Sequence, residues 1–325
     1  MKAWAEFFRL PNLATAPGDA IAGSAICLAV SLETPKAGAV GIALASGLAT
    51  LSFYMFGLAD NDIVGCEEDK TNAPNRPLPS GRLSLASARA ARGLCLLAAV
   101  AVGAVFDFPL DWWCVALLLV LAISGYNRIK GRAVVTGTVL MGLCRGLSVL
   151  SGAAAMTHYV APRIKILESG SLLEPTSLLL FPCWNSMPVW LAVAGWTIYT
   201  IGVTSVAAKE HEADKPLGWW RFLPGLSVFI PMLVLWDYPG EGSKILIVFC
   251  SSFAYAVWAL SMMPLGRPHD PLSRRKAIGN AIKALVYLQA AYILSYTAPA
   301  FVAYMLAVFV LIPIIKHNTP DISGS

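Results

Sequence analysis

Most of this chain consists of apolar runs long enough to cross a bilayer, and that pattern restricts the fold more than any single motif. A hydrocarbon core about 30 Å thick takes roughly 20 helical residues, and a helix or a closed barrel alone satisfies the backbone there. Runs fall near 13–31, 37–59, 84–106, 110–126, 134–157, 187–208, 219–236, 243–263, 278–296 and 298–315, each bounded by charge, Pro or Gly. The expectation is an all-α, polytopic transmembrane helical bundle of nine or ten spans. The count turns on 298–315, which is separated from its predecessor only by the turn at Thr297 and Pro299. Composition agrees: 57% of residues are hydrophobic and 13% charged, where soluble domains carry about a quarter charged. The chain is read as a single unit, 1–325, rather than a string of soluble domains.

Lys and Arg set the orientation, because positive loops stay in the cytoplasm. With the N-terminus inside, the cytoplasmic segments collect fourteen of them, and the opposite loops hold only Lys36, Arg163, Lys165 and Lys244. The net charge of +5 follows from that bias and from anionic lipid, so the expected partner is membrane lipid and not nucleic acid. A bacterial inner membrane is the expected host. No cleavable signal is expected, because "MKAWAEFFRLPN" is amphipathic and lacks a short apolar core with a small-residue cleavage site. The long connection from Tyr159 to Pro188, with Trp184 as an anchor, reads as re-entrant or interfacial, "GRPHDPLSRRK" as a basic anchor, and the tail "KHNTPDISGS" as disordered. Cys27, Cys95, Cys114, Cys144 and Cys250 lie in apolar runs and read as small core residues, while Cys66 stands at a charged helix end. No cysteine or histidine spacing suggests zinc or a redox pair.

Charge is concentrated where the second run ends, in "NDIVGCEEDKTNAPNRPLPSG", Asn61 to Gly81. Asn61, Gly65 and Asp69 are spaced i, i+4, i+8, one stripe of a helix, and Asp62 and Asp69 share a face. Lined-up carboxylates repel unless a cation sits between them, and oxygen-only ligands suit Mg²⁺ with substrate phosphates. The alternative is a solvated loop in which Glu67, Glu68 and Asp69 balance Lys70, Arg76 and Arg82. A second acidic end, "GVTSVAAKEHEADKP", places Glu210 and Asp214 at i, i+4 on the same side of the membrane, with His211 a solvated neighbour. Two acidic helix ends flanked by Arg and Lys could hold a diphosphate through bridging Mg²⁺. "SGYNRIKG" brings Tyr126, Asn127, Arg128 and Lys130 to the same mouth, either for diphosphate oxygens or as topological anchors. Arg145 lies inside an apolar run, where a charge marks a functional interior or a buried partner. Asp19 is the acidic candidate to face the same cavity.

These residues together resemble the UbiA superfamily of intramembrane prenyltransferases. The resemblance runs from about Phe7 to Lys276 and is most specific over Asn61–Gly81. "RLPNLATAPGDAIAG" and "MGLCRGLSVLSG" look closest to its EboC-like subgroup. It implies a bundle of commonly nine spans around a central cavity opening to the cytoplasmic face. Prenyl diphosphate would be held through Mg²⁺ between two acidic motifs, its tail in an apolar channel, and a lipophilic or aromatic acceptor would be alkylated. Metal ligation is implied for Asn61, Asp62, Asp69, Glu210 and Asp214, with Glu210 standing where the family has Asp. Substrate contacts are implied for Asn12, Asp19, Asn61, Arg76, Asn127 and Arg145, and catalytic roles for Asp62, Asp69, Tyr126, Arg128 and Lys130.

Gly65 departs from the family, whose first motif has an aspartate there. Either Asp62 or Glu68 substitutes, or the Glu210/Asp214 metal alone is essential, or the diphosphate is no longer ionised. Three readings follow: a transferase, a terpene cyclase that needs the same diphosphate site and no acceptor, or a non-catalytic isoprenoid carrier. Phe53, Tyr54, Tyr126 and Tyr199 are candidates to face an allylic cation, with packing as the plainer alternative.

Overall fold

The computed structural model describes residues 2–30, 37–129, 133–157, 159–160, 186–208, 218–235, 241–266, 271–294, and 302, 305, 306, 308 and 309. Among them there is no strand. The helices are α1 Lys2–Phe7, α2 Leu10–Leu13, α3 Pro17–Val30, α4 Ala37–Val64, α5 Cys66–Asn72, α6 Leu85–Val105, α7 Leu110–Ile129, α8 Val134–Ala155 and α9 Met187–Ala207. They continue as α10 Leu223–Ser227, α11 Ile230–Leu235, α12 Glu241–Met262 and α13 Pro271–Ile293. Six helices among the described residues are long and apolar enough to cross a membrane, and Pro17–Val30 is a shorter apolar one.

Helix α3 is the axis of the bundle. Every residue from Gly18 to Ala29 is buried, which is the signature of a helix apolar all round, and α4, α8 and α13 pack around it. Its small side chains permit that enclosure. A Cβ on Gly23 would lie 1.9 Å from the Val149 carbonyl oxygen, and one on Gly152 would lie 1.8 Å from that of Ala20, so α3 and α8 cross at backbone contact. Membrane helices associate in this way, through small residues and short polar links. Ser24 Oγ donates to the Gly152 carbonyl at 3.0 Å, and Thr50 Oγ1 lies 3.3 Å from Ser151 Oγ. Leu94, Leu97 and Val105 of α6 and Leu117, Leu118 and Leu121 of α7 are exposed, as lipid-facing leucines should be.

Local chemistry sets the element ends. Ser84 caps α6 by accepting from Ser87 N at 3.1 Å. The run 219–236, expected as one span, is broken into a 3₁₀ turn at Trp219–Phe222 and the two short helices α10 and α11. Pro224, Gly225 and Pro231 explain the break, since an interior proline removes a helical hydrogen bond and clashes with the preceding turn. Helix α4 runs on to Val64, past the expected end near 59. Of the basic anchor, Arg274 is fully buried while Arg275 and Lys276 are exposed. Cys27, read as a core thiol, is held in a disulfide, whereas Cys66, Cys95, Cys114, Cys144 and Cys250 are free. Most of 298–315, most of the Tyr159–Pro188 connection and the tail lie outside the described residues.

Candidate functional site

The end of α4 places three consecutive polar side chains in different directions, because successive helical residues are about 100° apart. Asp60 turns toward α6 and α7. It is 1% exposed, with Arg92 Nη1 2.9 Å from one oxygen; Asn127 Nδ2 donates to the other at 3.0 Å and Arg128 Nη1 lies 3.5 Å from it. Asp62 turns the other way, toward the α1–α2 turn, and accepts from Arg9 Nη2 at 3.1 Å and from Asn61 Nδ2 at 2.9 Å. Asn61 lies between them and lines the cavity.

Helical hydrogen bonding continues through the break after Val64. Gly65 N donates to the Asn61 carbonyl at 3.0 Å, and Asp69 N donates to that of Gly65 at 2.9 Å, so the stripe Asn61–Gly65–Asp69 is real. Gly65 has φ −84° and ψ 0°, open to any L-residue. A Cβ there would lie 3.2 Å from the Asn61 carbonyl oxygen and 3.9 Å from Asp69 Oδ2. Asp69 pairs with Arg76 Nη1 at 2.8 Å. Glu67 accepts from Lys70 at 2.8 Å, and this hydrogen bond raises the pKa of the lysine ammonium.

The N-terminal segment is fastened over this end of α4. Phe7 packs with Ala59, Leu78 and Ala88 in a small apolar cluster of its own. Glu6 pairs with Arg82 at 2.6 Å and raises its pKa further. Between α1 and α2, Arg9 has φ +47°, a left-handed backbone that costs a non-glycine residue on the order of 1–3 kcal/mol. The surrounding contacts hold it there.

Below lies a cavity of about 170 Å³. Its polar lining comes from Arg9, Asn61, Tyr54, Tyr126, Asn127 and Arg145, and its apolar wall from Phe53, Leu58, Leu119, Ile123 and Met141. Arg145 enters from α8, with its Cζ 5.8 Å from the Tyr54 ring centroid. Behind it, Arg145 Nη1 donates to Asp19 Oδ2, while Trp196 Nε1 and Gln289 Nε2 donate to Asp19 Oδ1 at 2.8 and 2.7 Å. Four helices, α3, α8, α9 and α13, thus meet on one buried carboxylate.

A profile of the UbiA prenyltransferase family matches residues 20–321. The chain belongs to the UbiA prenyltransferase family. It is 28% identical over 156 residues to a digeranylgeranylglyceryl phosphate synthase of Methanococcus aeolicus, covering 48% of this chain and 53% of that protein. The synthase of the same name from Sulfurisphaera tokodaii is 36% identical over 97 residues, covering 29% and 34%. The chain therefore spans about half the length, or less, of these curated relatives. Among solved structures, a UbiA homologue from Aeropyrum pernix K1 aligns with TM-score 0.59 and 17% identity, over 87% of this chain and 96% of its own. A structure described as giving insights into the biosynthesis of digeranylgeranylglyceryl phosphate synthase in membranes aligns with TM-score 0.57 and 17% identity, over 92% and 100%. The shared feature in both cases is the UbiA fold.

Within this UbiA fold, Asn61, Tyr126, Asn127 and Arg145 line one cavity, and Asp62 joins it through Asn61 and Arg9. Asp19 stands behind Arg145, and Arg76 is spent on Asp69. Asn127 also donates to the Gly57 carbonyl at 3.1 Å, so it ties α7 to α4 as well as facing the cavity. Arg128 is not part of the cavity lining: it donates to the Ser124 carbonyl at 2.8 Å and pairs with Asp60. Phe53, Tyr54 and Tyr126 line the cavity, whereas Tyr199 is fully buried, donates to the Ala281 carbonyl at 2.6 Å, and belongs to packing. Lys130, Glu210, Asp214 and the side chain of Asn12 lie outside the described residues.

The donor set fits Mg²⁺, since Asn61, Asp62 and Asp69 offer oxygen only and a hard cation needs few protein ligands when substrate phosphates complete its shell. Among the described residues no three acidic, His or Cys side chains converge as a metal site by themselves. Arg9, Asp60, Arg92, Trp196 and Gln289 were missed from sequence. Asp60 and Arg92 carried a usable signal, a charge inside or beside an apolar run; Trp196 and Gln289 gave none.

Proposed function

We propose that this protein transfers a prenyl group, within the membrane, from a prenyl diphosphate to a lipophilic or aromatic acceptor, in a Mg²⁺-dependent reaction carried by a single unit over residues 1–325. The observation that carries this reading is the shared cavity. Asn61 and Arg9, beside the first acidic motif, open onto the same space as Phe53, Tyr54 and Tyr126. The name of the relatives, digeranylgeranylglyceryl phosphate synthase, makes a phosphate-bearing glyceryl lipid one acceptor to test.

In the reaction the C1–O bond to diphosphate breaks and its electron pair leaves with the diphosphate. A carbon or hydroxyl of the acceptor bonds to C1 and gives up a proton. Asn61, Asp62 and Asp69, with Glu210 and Asp214, would hold Mg²⁺, which when bound neutralises charge on the leaving diphosphate. Arg9 and Arg145 supply positive charge to the cavity. The faces of Phe53, Tyr54 and Tyr126 suit an allylic cation, and the apolar wall keeps water from it.

The N-terminus is assigned to the cytoplasm. Cys27 lies eight residues beyond Asp19 along α3, about 12 Å toward the opposite end. It is oxidised while Cys66, at the charged mouth, is a free thiol. Disulfides persist outside the reducing cytoplasm, which supports the orientation given by the Lys and Arg count.

The test is diphosphate release by the purified protein in detergent, across prenyl diphosphates of several lengths, with and without Mg²⁺ and acceptors, beside Asp69→Ala. Mg²⁺- and acceptor-dependent release lost in Asp69→Ala is expected. Release without acceptor would mean a cyclase, and no release with prenyl ligand still bound would mean a carrier.

A further inference from the structure

The first acidic motif is already electrically neutral without a metal. Asp62 takes Arg9 and Asp69 takes Arg76, at 3.1 and 2.8 Å. Position 65, between them in the chain, has no side chain to add a third negative charge. Arg9 and Asn61 share one oxygen of Asp62, Oδ1, so a divalent cation arriving at that carboxylate competes with the guanidinium for its charge, and a guanidinium released by it is left on the cavity wall with no carboxylate of its own.

The two arginines are not equivalent in this respect. Arg9 lines the cavity and Arg76 does not. Arg9 also sits at a left-handed residue, φ +47°, between α1 and α2. It is fixed in place by the Phe7 cluster, by the Glu6–Arg82 pair, and by its own N–H donating to the Glu6 carbonyl at 3.0 Å. A strained backbone, clamped on both sides, presents a planar bidentate donor to the cavity beside the motif. That geometry suits an oxyanion with several oxygens, for which guanidinium is matched.

We propose that Arg9 is a diphosphate-binding residue that rests on Asp62 and moves to diphosphate oxygens when the metal takes Asp62. Metal and substrate binding are then coupled through one side chain: the metal frees the arginine, and the diphosphate holds it. This rests on the prenyl diphosphate reading above and adds to it a residue and an order of events.

The coupling makes predictions of opposite sign, which a merely structural ion pair would not. Inorganic pyrophosphate is titrated calorimetrically into the full chain in detergent, and Mn²⁺ is titrated by electron paramagnetic resonance without pyrophosphate. Arg9→Gln is expected to bind pyrophosphate about 10- to 100-fold more weakly in Mg²⁺, the loss of one charge-assisted contact. The same variant should bind Mn²⁺ more tightly, its internal competitor gone. Asp62→Asn should show the reverse: weaker Mn²⁺ binding, and tighter pyrophosphate binding in EDTA, because Arg9 is free from the start. Unchanged pyrophosphate affinity in Arg9→Gln, weaker Mn²⁺ binding in Arg9→Gln, or no gain in EDTA for Asp62→Asn would each overturn the proposal. If Arg9→Gln does not fold, the near-isosteric Asp62→Asn decides alone. Prenyl diphosphate turnover is measured in parallel. The expected binding pattern without turnover would sink the transferase reading and leave Arg9 in place.

Discussion

Two kinds of aspartate–arginine pair surround one cavity, and they are built for different ends. At the rim, Arg9 and Arg76, with side chains 32% and 28% exposed, hold Asp62 and Asp69, whose own side chains are 8% and 15% exposed, so water reaches these pairs from the arginine side. In the interior, Asp19 is fully buried and Arg145 is 13% exposed, and the second oxygen of Asp19 takes Trp196 and Gln289. The chemistry is the same, but the number of fixed donors and the access of water differ. A rim pair can exchange its partner for a metal or a phosphate at little cost, since water stabilises either group in transit. The interior pair cannot, because parting it would strand a charge among four helices. The rim is arranged to change and the interior to stay.

Breaking the interior pair should therefore have the largest effect on stability. Asp19→Ala leaves the Arg145 charge unpartnered and is expected to cost about 3–5 kcal/mol, read from denaturant unfolding in detergent. Next is Gly152→Ala. Its new methyl would meet the Ala20 carbonyl at 1.8 Å, one residue from Asp19, and forcing α3 from α8 should cost about 1–3 kcal/mol. The thermal midpoint would fall, and Trp196 fluorescence would report the loosened cluster. Arg76→Gln at the rim should change stability by less than about 1 kcal/mol while weakening diphosphate release. If Arg76→Gln unfolded the protein as Asp19→Ala does, the distinction between rim and interior would be lost.

The helices were legible in the sequence because bilayer-length apolar runs have few other solutions, and the ends of α6, α8 and α9 lie within two residues of their runs. The run at 219–236 misled because its hydropathy is continuous while Pro224, Gly225 and Pro231 interrupt its hydrogen bonding. Hydropathy measures partition, and backbone continuity is a separate condition. At the candidate site, the i, i+4 spacing put Asn61 and Asp69 on one stripe, as the helical hydrogen bonding has them, and a charge in an apolar run singled out Arg145, which lines the cavity and pairs with Asp19. Which basic residue faces which carboxylate was not legible. Arg128, read as a diphosphate ligand, pairs with Asp60, while Arg9, 53 residues from Asp62, pairs with Asp62 and lines the cavity. Pairing at that separation depends on how helices cross, which no local pattern encodes.

The smallest stability effect belongs to Gly65→Asp, and it sharpens the comparison most. The backbone there, φ −84° and ψ 0°, accepts a side chain. Lost freedom in the unfolded chain offsets repulsion from Asp69, so stability should stay within about 1 kcal/mol. The site should nevertheless respond strongly. A third carboxylate in the motif, beside Asp62 and Asp69, would exceed the charge of Arg9 and Arg76, and a divalent cation would restore neutrality. Removing a group that supports a bound metal costs about 10- to 100-fold in affinity, so adding one should tighten Mg²⁺ binding by about tenfold, read as a lower Mg²⁺ concentration for half-maximal diphosphate release. Adding an equivalent charge beside Asp19 would unfold the core. A rim that gains a charge and binds more metal without loss of stability is a surface designed for exchange; a Gly65→Asp variant with unchanged Mg²⁺ dependence would mean that the metal is held elsewhere, by the Glu210 and Asp214 pair.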